Sequence, residues 1–271
     1  MKNFFKFMSV GIIAATSLTL VSCSDDDDDN NGGGNGMPKP TEVFTAGVPT
    51  SFDGAAITKN AAGLVSQIKS DYETVTFNYD KVTFNGKSYD ATMKYTDDEN
   101  GGDPADNITV YVNLNSKGFI TNALEVYGDG ETDTWTFEYN AADQLSKLVR
   151  SEGGNEVTTI TYTDGNITKV VTTDDEGGND QCTIKYTDAT VTTPIVNKGC
   201  IMMFDECFGI DMDELQVAYY AGLLGKATKN LPVANDDNTF TWTLNSNGLP
   251  TQLKSVYGSY PDNYDIYTFG W

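Results

Sequence analysis

Strict alternation of apolar and polar side chains, repeated along most of the chain, is the feature that most limits what this sequence can fold into. Val75, Phe77 and Tyr79 alternate with Thr74, Thr76 and Asn78, and Val110, Val112 and Leu114 with Thr109, Tyr111 and Asn113. Trp135, Phe137 and Tyr139 alternate with Thr134, Thr136 and Glu138, and Phe240, Trp242 and Leu244 with Thr239, Thr241 and Thr243. Neighbouring residues of a strand point to opposite faces, so period two in β-branched and aromatic residues means half-buried antiparallel strands, dry on one face and wet on the other.

The strands recur as an imperfect repeat. Leu114, Tyr139, Tyr162 and Tyr186 mark equivalent positions roughly 24 residues apart, the length of one hairpin and its connection. Asx and glycine residues fill the turns, as in Asn115-Ser116-Lys117-Gly118, Asp164-Gly165-Asn166 and Asn245-Ser246-Asn247-Gly248, where a positive φ is needed. Such repetition builds a meander whose edges must be closed or covered. One segment departs from it: in 211–225, Leu215, Ala218, Tyr219 and Gly222 fall at helical spacing, with acidic residues in the first turn and Gly225 as a stop. The expected architecture is therefore all-β, an antiparallel hairpin meander closed or nearly closed into a soluble barrel-like body over residues 41–271, with one inserted helix at about 211–225.

The N-terminus has a different logic. Lys2 and Lys6 precede an apolar run of about 14 residues, short of the roughly 20 that span a bilayer, and the run ends at Leu20-Val21-Ser22-Cys23. That ending resembles the lipobox of bacterial lipoproteins, which implies removal of residues 1–22 and acylation of Cys23. Asp25 to Asp29 are similar to the acidic export signal of Bacteroidetes surface lipoproteins, which implies an outer-membrane protein displayed at the cell surface and held to the membrane through Cys23. The stretch to Pro40, rich in Asn and Gly, is a tether with a reach of about 20 to 25 Å. Residues 23–40 thus separate anchor from body.

The formal charge is −22 at pH 7, and the cleaved leader would take two lysines with it. Such a chain repels nucleic acid phosphates, leaving neutral polymers, cations or basic partners as ligands. Four cysteines become three once Cys23 is acylated. Cys182 shares strand parity with Ile184 and Tyr186 and is expected in the core, whereas Cys200 and Cys207 bracket a short segment and are the candidate disulfide pair. No C-x-x-C spacing and no histidine offer a metal centre or cofactor site.

Together with the lipobox and acidic run, the tyrosine-Asx hairpins and the stretch Gly225-Lys226-Ala227-Thr228-Lys229-Asn230-Leu231-Pro232 resemble an uncharacterised family of Bacteroidetes lipoproteins with a domain of porin-like fold. The hairpins are also similar to tyrosine-aspartate repeats of large bacterial shell proteins. Neither resemblance implies an activity or a catalytic residue.

Chemistry is correspondingly sparse. Nucleophilic catalysis lacks its usual histidine base. Thirty-nine acidic residues make a carboxylate pair for glycoside hydrolysis unavoidable and therefore uninformative. Two acidic loops gather oxygens that could hold a cation, Asp97, Asp98, Glu99 and Asp103 in one and Asp174, Asp175, Glu176 and Asp180 in the other, without EF-hand spacing. Tyr111, Tyr127, Tyr220, Tyr257, Tyr260 and Tyr264 are candidate stacking platforms for sugar rings. The expected function is a non-catalytic module that binds or scaffolds extracellular material, a glycan or a protein, with neutral glycan the leading ligand class. The alternatives are a carboxylate-dependent glycosidase and an integral outer-membrane barrel, the latter because the C-terminal run Tyr264 to Trp271 is similar to the closing strand of such barrels.

Overall fold

A computed structural model describes residues 36–98, 107–258 and 260–271 of the chain. The leader, Cys23, most of the tether, Glu99 and Asp103 lie outside the described residues. Among the described residues, fifteen strands form one antiparallel sheet. Sequence neighbours pair with each other, as the hairpin repeat requires, with two exceptions. Glu73–Asn78 pairs with Ala91–Asp97 past a small outer hairpin, and the first strand, Ser51–Phe52, pairs with the last, Tyr264–Gly270.

The sheet begins at Asn179–Thr183 and ends at Asn238–Leu244. Those edges do not pair directly. Ala234 bridges them, to Lys185 on one side and Thr239 on the other. The bonds run from Lys185 N to Ala234 O, from Val233 N to Lys185 O and from Phe240 N to Val233 O, each 2.8 Å. The result is a nearly closed barrel whose two open edges are linked by a short segment of its own chain, which shortens the template that exposed strands offer for aggregation.

Alternation assigns the faces as expected. Val75 and Phe77, Trp135 and Phe137, and Tyr267 and Phe269 are buried inward, while Thr76, Thr136, Glu138, Thr161 and Thr268 stand outward and exposed. A sheet of this many strands encloses a lumen too wide for its own side chains to fill. The lumen is filled by residues 201–224, whose apolar side chains join those of the strands in one core cluster.

This plug holds the expected helix only in a shorter, tighter form. A short α-helix, Phe204–Phe208, ends at Gly209 in the left-handed conformation, and a 3₁₀ helix, Asp213–Tyr219, begins at an aspartate with φ of 41°. No helix spans 211–225. The physical reason is that Leu215, Val217, Ala218, Tyr219, Tyr220, Leu223 and Leu224 are all buried, so the segment has no wet face to orient an amphipathic helix. Its path follows the lumen wall. Helical spacing at Leu215, Ala218 and Tyr219 was real but did not select the α form.

Alternate turns of a meander lie at alternate ends of the barrel. The chain enters at the end holding the Asn115 turn, where Gly36 N donates to Asn115 O at 2.9 Å. That end is termed proximal, and the opposite one the distal mouth. The outer hairpin, Val82–Phe84 with Lys87–Tyr89, lies against Ile108–Leu114, with the Phe84 and Tyr111 rings stacked 4.4 Å apart. Tyr111 is therefore buried rather than exposed, and Tyr220 is buried in the lumen.

Candidate functional site

The proximal end is built by one device used repeatedly. Asn115 Oδ1 accepts from Lys117 N at 2.9 Å and Phe119 N at 3.1 Å, and Asn60, Asn140 and Asn245 make the same pair of bonds in their own turns. An Asx side chain thus replaces the missing backbone partners of each turn. The repeat tyrosines then clamp each hairpin to the one before it. Tyr139 Oη donates to Ile120 O at 2.8 Å, Tyr162 Oη to Leu145 O at 2.8 Å and Tyr186 Oη to Ile167 O at 2.9 Å. Tyr79 does the same to Val65 O at 2.7 Å.

Leu223 to Leu231 runs across these turns and ties them together. Leu223 O accepts from Ile120 N, Lys226 N donates to Asp143 O, Lys229 N donates to Gly165 O, and Asn230 exchanges bonds with Asn166. Gly225 has φ of +79°, and a Cβ there would lie 2.6 Å from Asp143 O. Lys117 and Lys226 both pair with Asp143, and the Lys117 bond above all holds that carboxyl below the usual carboxylate range. A cleft of about 320 Å³ opens beside this segment, lined by Glu42, Thr45, Asn197, Cys200, Lys226 and Lys229 among others.

The cysteines do not pair as expected. All three are free thiols. Cys200 Sγ lies 3.9 Å from Thr45 Oγ1, at the cleft, while Cys207 is buried in the helix Phe204–Phe208. The plug places them at different depths of the lumen, which is why a short sequence separation did not make a bridge. Cys182 packs against the core, as its parity required.

The acidic loops are not brought together. They belong to hairpins with the strands Ile120–Tyr127, Thr132–Tyr139, Leu145–Arg150 and Glu156–Thr163 between them. Asp98 pairs with Lys69 at 2.6 Å, Asp174 Oδ1 caps its own turn by accepting from Glu176 N and Gly178 N at 2.8 Å, and Asp175 accepts from Asn155 Nδ2 at 2.7 Å. Glu176 and Asp180 are exposed. Among the described residues no group of three or more acidic or cysteine side chains is arranged to hold a metal ion, and Glu99 and Asp103 of the first loop lie outside them.

The concentrated chemistry lies at the distal mouth, in residues the sequence reading passed over. Glu125 Oε2 accepts from Trp135 Nε1 at 2.7 Å, and its other oxygen has no partner. The Arg150 guanidinium lies 5.0 Å over the Trp135 ring and pairs with Asp213 and Glu152, and with Asp211 at 3.5 Å. Burial opposes the Arg150 charge, but the carboxylates of Asp213 and Asp211 outweigh it and raise its pKa. Burial pushes Glu125 and Glu73 up to about 8, and raises Asp213 and Glu214. The missed signal was parity: Glu125 follows Ala123, and Arg150 follows Leu148, on inward positions of their strands. On the plug side of the lumen, Glu206 accepts from Tyr267 Oη at 2.7 Å, Tyr257 Oη at 3.3 Å and Asn238 Nδ2 at 3.2 Å.

The meander, its bridged edges and its filled lumen define a barrel-like body of porin type. The chain belongs to the family described as a domain of unknown function (DUF4595) with porin-like fold, whose model matches residues 60–252. It is similar to a porin-like protein from Bacteroides uniformis, with a TM-score of 0.55 and 18% sequence identity over 79% of this chain and 88% of that one. At that identity the likeness speaks for the fold. No curated protein matches the sequence.

Proposed function

We propose that this protein is a lipid-anchored module of the outer cell surface that binds or scaffolds extracellular material and conducts nothing through its barrel. The observation that carries this reading is the filled lumen: a conduit needs an open path, and residues 201–224 occupy it with apolar side chains. The outer wall supports the same reading. Thr134, Thr136, Glu138, Thr159 and Thr161 face outward where a bilayer-spanning barrel carries an apolar band. The lipobox-like Leu20-Val21-Ser22-Cys23 supports the anchor, and chain entry at the proximal end turns the distal mouth away from it.

Neutral glycan is the ligand class we favour, because the net charge of −22 disfavours polyanions and because Tyr264 on the wall and Tyr260 in the turn before it stand exposed. Lys254 Nζ sits 3.9 Å over the Tyr264 ring and orders it. A glycosidase reading would rest on the distal carboxyl groups, yet Glu125 is 1% exposed and faces the plug rather than a sugar-sized opening. Screening the full chain against a polysaccharide panel, by binding and by reducing-end release, decides between them. Binding without release, lost in Tyr264→Ala, is the expected result; release of reducing ends would overturn it.

A further inference from the structure

The distal mouth holds more buried carboxyl groups than cations to pair with them. Glu125, Asp213 and Glu214 are all buried, as is Arg150, the one guanidinium among them. Arg150 is already engaged by Asp213, Asp211 and Glu152, and Glu125 keeps one oxygen without a partner. An ionised carboxylate with a bare oxygen in a dry site is strongly disfavoured, whereas the protonated acid carries no charge there.

We infer that protons held on this carboxyl cluster fasten the plug to the barrel wall at the distal mouth, and that the plug loosens there as pH rises. The plug side of the contact is Asp213 and Glu214, and the wall side is Glu125 and Glu73. Glu125 is also faced by Arg150, by Trp135, and by Tyr127 of its own strand, whose hydroxyl is 3.5 Å away. Glu214 is faced by Arg150, Asp211 and Asp133, and its backbone carbonyl accepts from Tyr95 Oη. Glu73 has Asp97 and Asp98 beside it, with Lys69 bound to Asp98, and Glu156 adds its charge near Arg150. Among the described residues, every ionisable neighbour named apart from Arg150 and Lys69 is an acid or a phenol. Ionising one carboxyl therefore raises the cost of the next.

The direction follows from burial. Glu125 and Glu73 are raised from 4.5 to about 8, so the folded protein retains protons that the unfolded chain releases. Stability from these groups is complete below about pH 4.5 and is lost as pH climbs to about 8.

The test is hydrogen exchange of the full chain at about pH 6 and about pH 9, corrected for the base catalysis of free amides. Amides of Asp213–Tyr219 are expected to gain at least about tenfold in corrected rate relative to proximal amides such as Lys226 and Lys229, whose bonds involve no raised carboxyl. Glu125→Gln keeps an acceptor for Trp135 and removes one titration, and should reduce that gain several-fold. Should that variant not accumulate as folded protein, Glu73→Gln gives the same reading from the wall. Equal corrected rates at both pH values, an equal gain at both ends, or an unchanged gain in the variants would overturn the inference.

Discussion

The two ends of the barrel are closed by opposite physical means. At the proximal end nearly every polar group has a neutral or oppositely charged partner: Asn side chains cap turns, tyrosines reach backbone carbonyls, and Asp143 sits between Lys117 and Lys226. At the distal mouth acids crowd around Arg150 and one Glu125 oxygen goes without a bond. Lysine contact lowers the Asp143 pKa, and burial raises that of Glu125. The proximal end is thus the scaffold of the fold and the distal mouth its adjustable part, since strain left in a structure concentrates where change is tolerated or used.

The largest expected effect comes from cutting the plug that joins the ends. Tyr219 is fully buried, packs edge-on against Phe44 and Phe204, and donates to Cys200 O at 2.6 Å. Tyr219→Ala should cost about 3–5 kcal/mol in denaturant unfolding, because a large cavity and a lost bond coincide. An effect under about 1 kcal/mol would mean that the plug is not part of the core. Gly225→Ala tests the proximal end alone. The positive φ and the 2.6 Å approach to Asp143 O should cost about 1–3 kcal/mol, with the same loss at acidic and alkaline pH. A smaller step, Tyr162→Phe, removes one bond of the repeat and should cost about 1 kcal/mol, again independent of pH below the tyrosine range. A pH-dependent cost in either proximal variant would dissolve the distinction between the ends.

Much of the proximal end was legible in the sequence. Tyr139, Tyr162 and Tyr186 recur at the hairpin period because each must reach the same carbonyl of the preceding hairpin, and Asn115, Asn140 and Asn245 recur because each turn leaves the same donors unpaired. Which residues share a face followed from alternation alone. The closure at Ala234 did not, because an isolated bridge leaves no periodic pattern in sequence. The plug was misjudged for a related reason: spacing at Leu215, Ala218 and Tyr219 suits a helix, but a segment dry on all sides takes whatever path fills the lumen. Glu125 and Arg150 were visible as charges on inward parity. The ion pair of Arg150 with Asp213, and the crowding of Glu125 by the charge of Glu214, depend on that unpredictable path, so the distal cluster could not be assembled from sequence.

The outer wall should respond least. Thr136 is exposed between buried Trp135 and Phe137, and Thr136→Lys should change stability by less than about 0.5 kcal/mol. A lipid-facing position would lose about 2–4 kcal/mol near the bilayer midplane.

A barrel filled by its own chain, with a wet outer wall, is tested most directly by producing residues 36–271, without the leader and most of the tether, and following the amides of the plug by hydrogen exchange in detergent-free buffer. A monodisperse protein in which Leu215 and Tyr220 to Leu223 exchange as slowly as the strand Thr132–Tyr139 is the expected result. Recovery only in detergent or lipid, or plug amides that exchange as fast as a free loop, would contradict it.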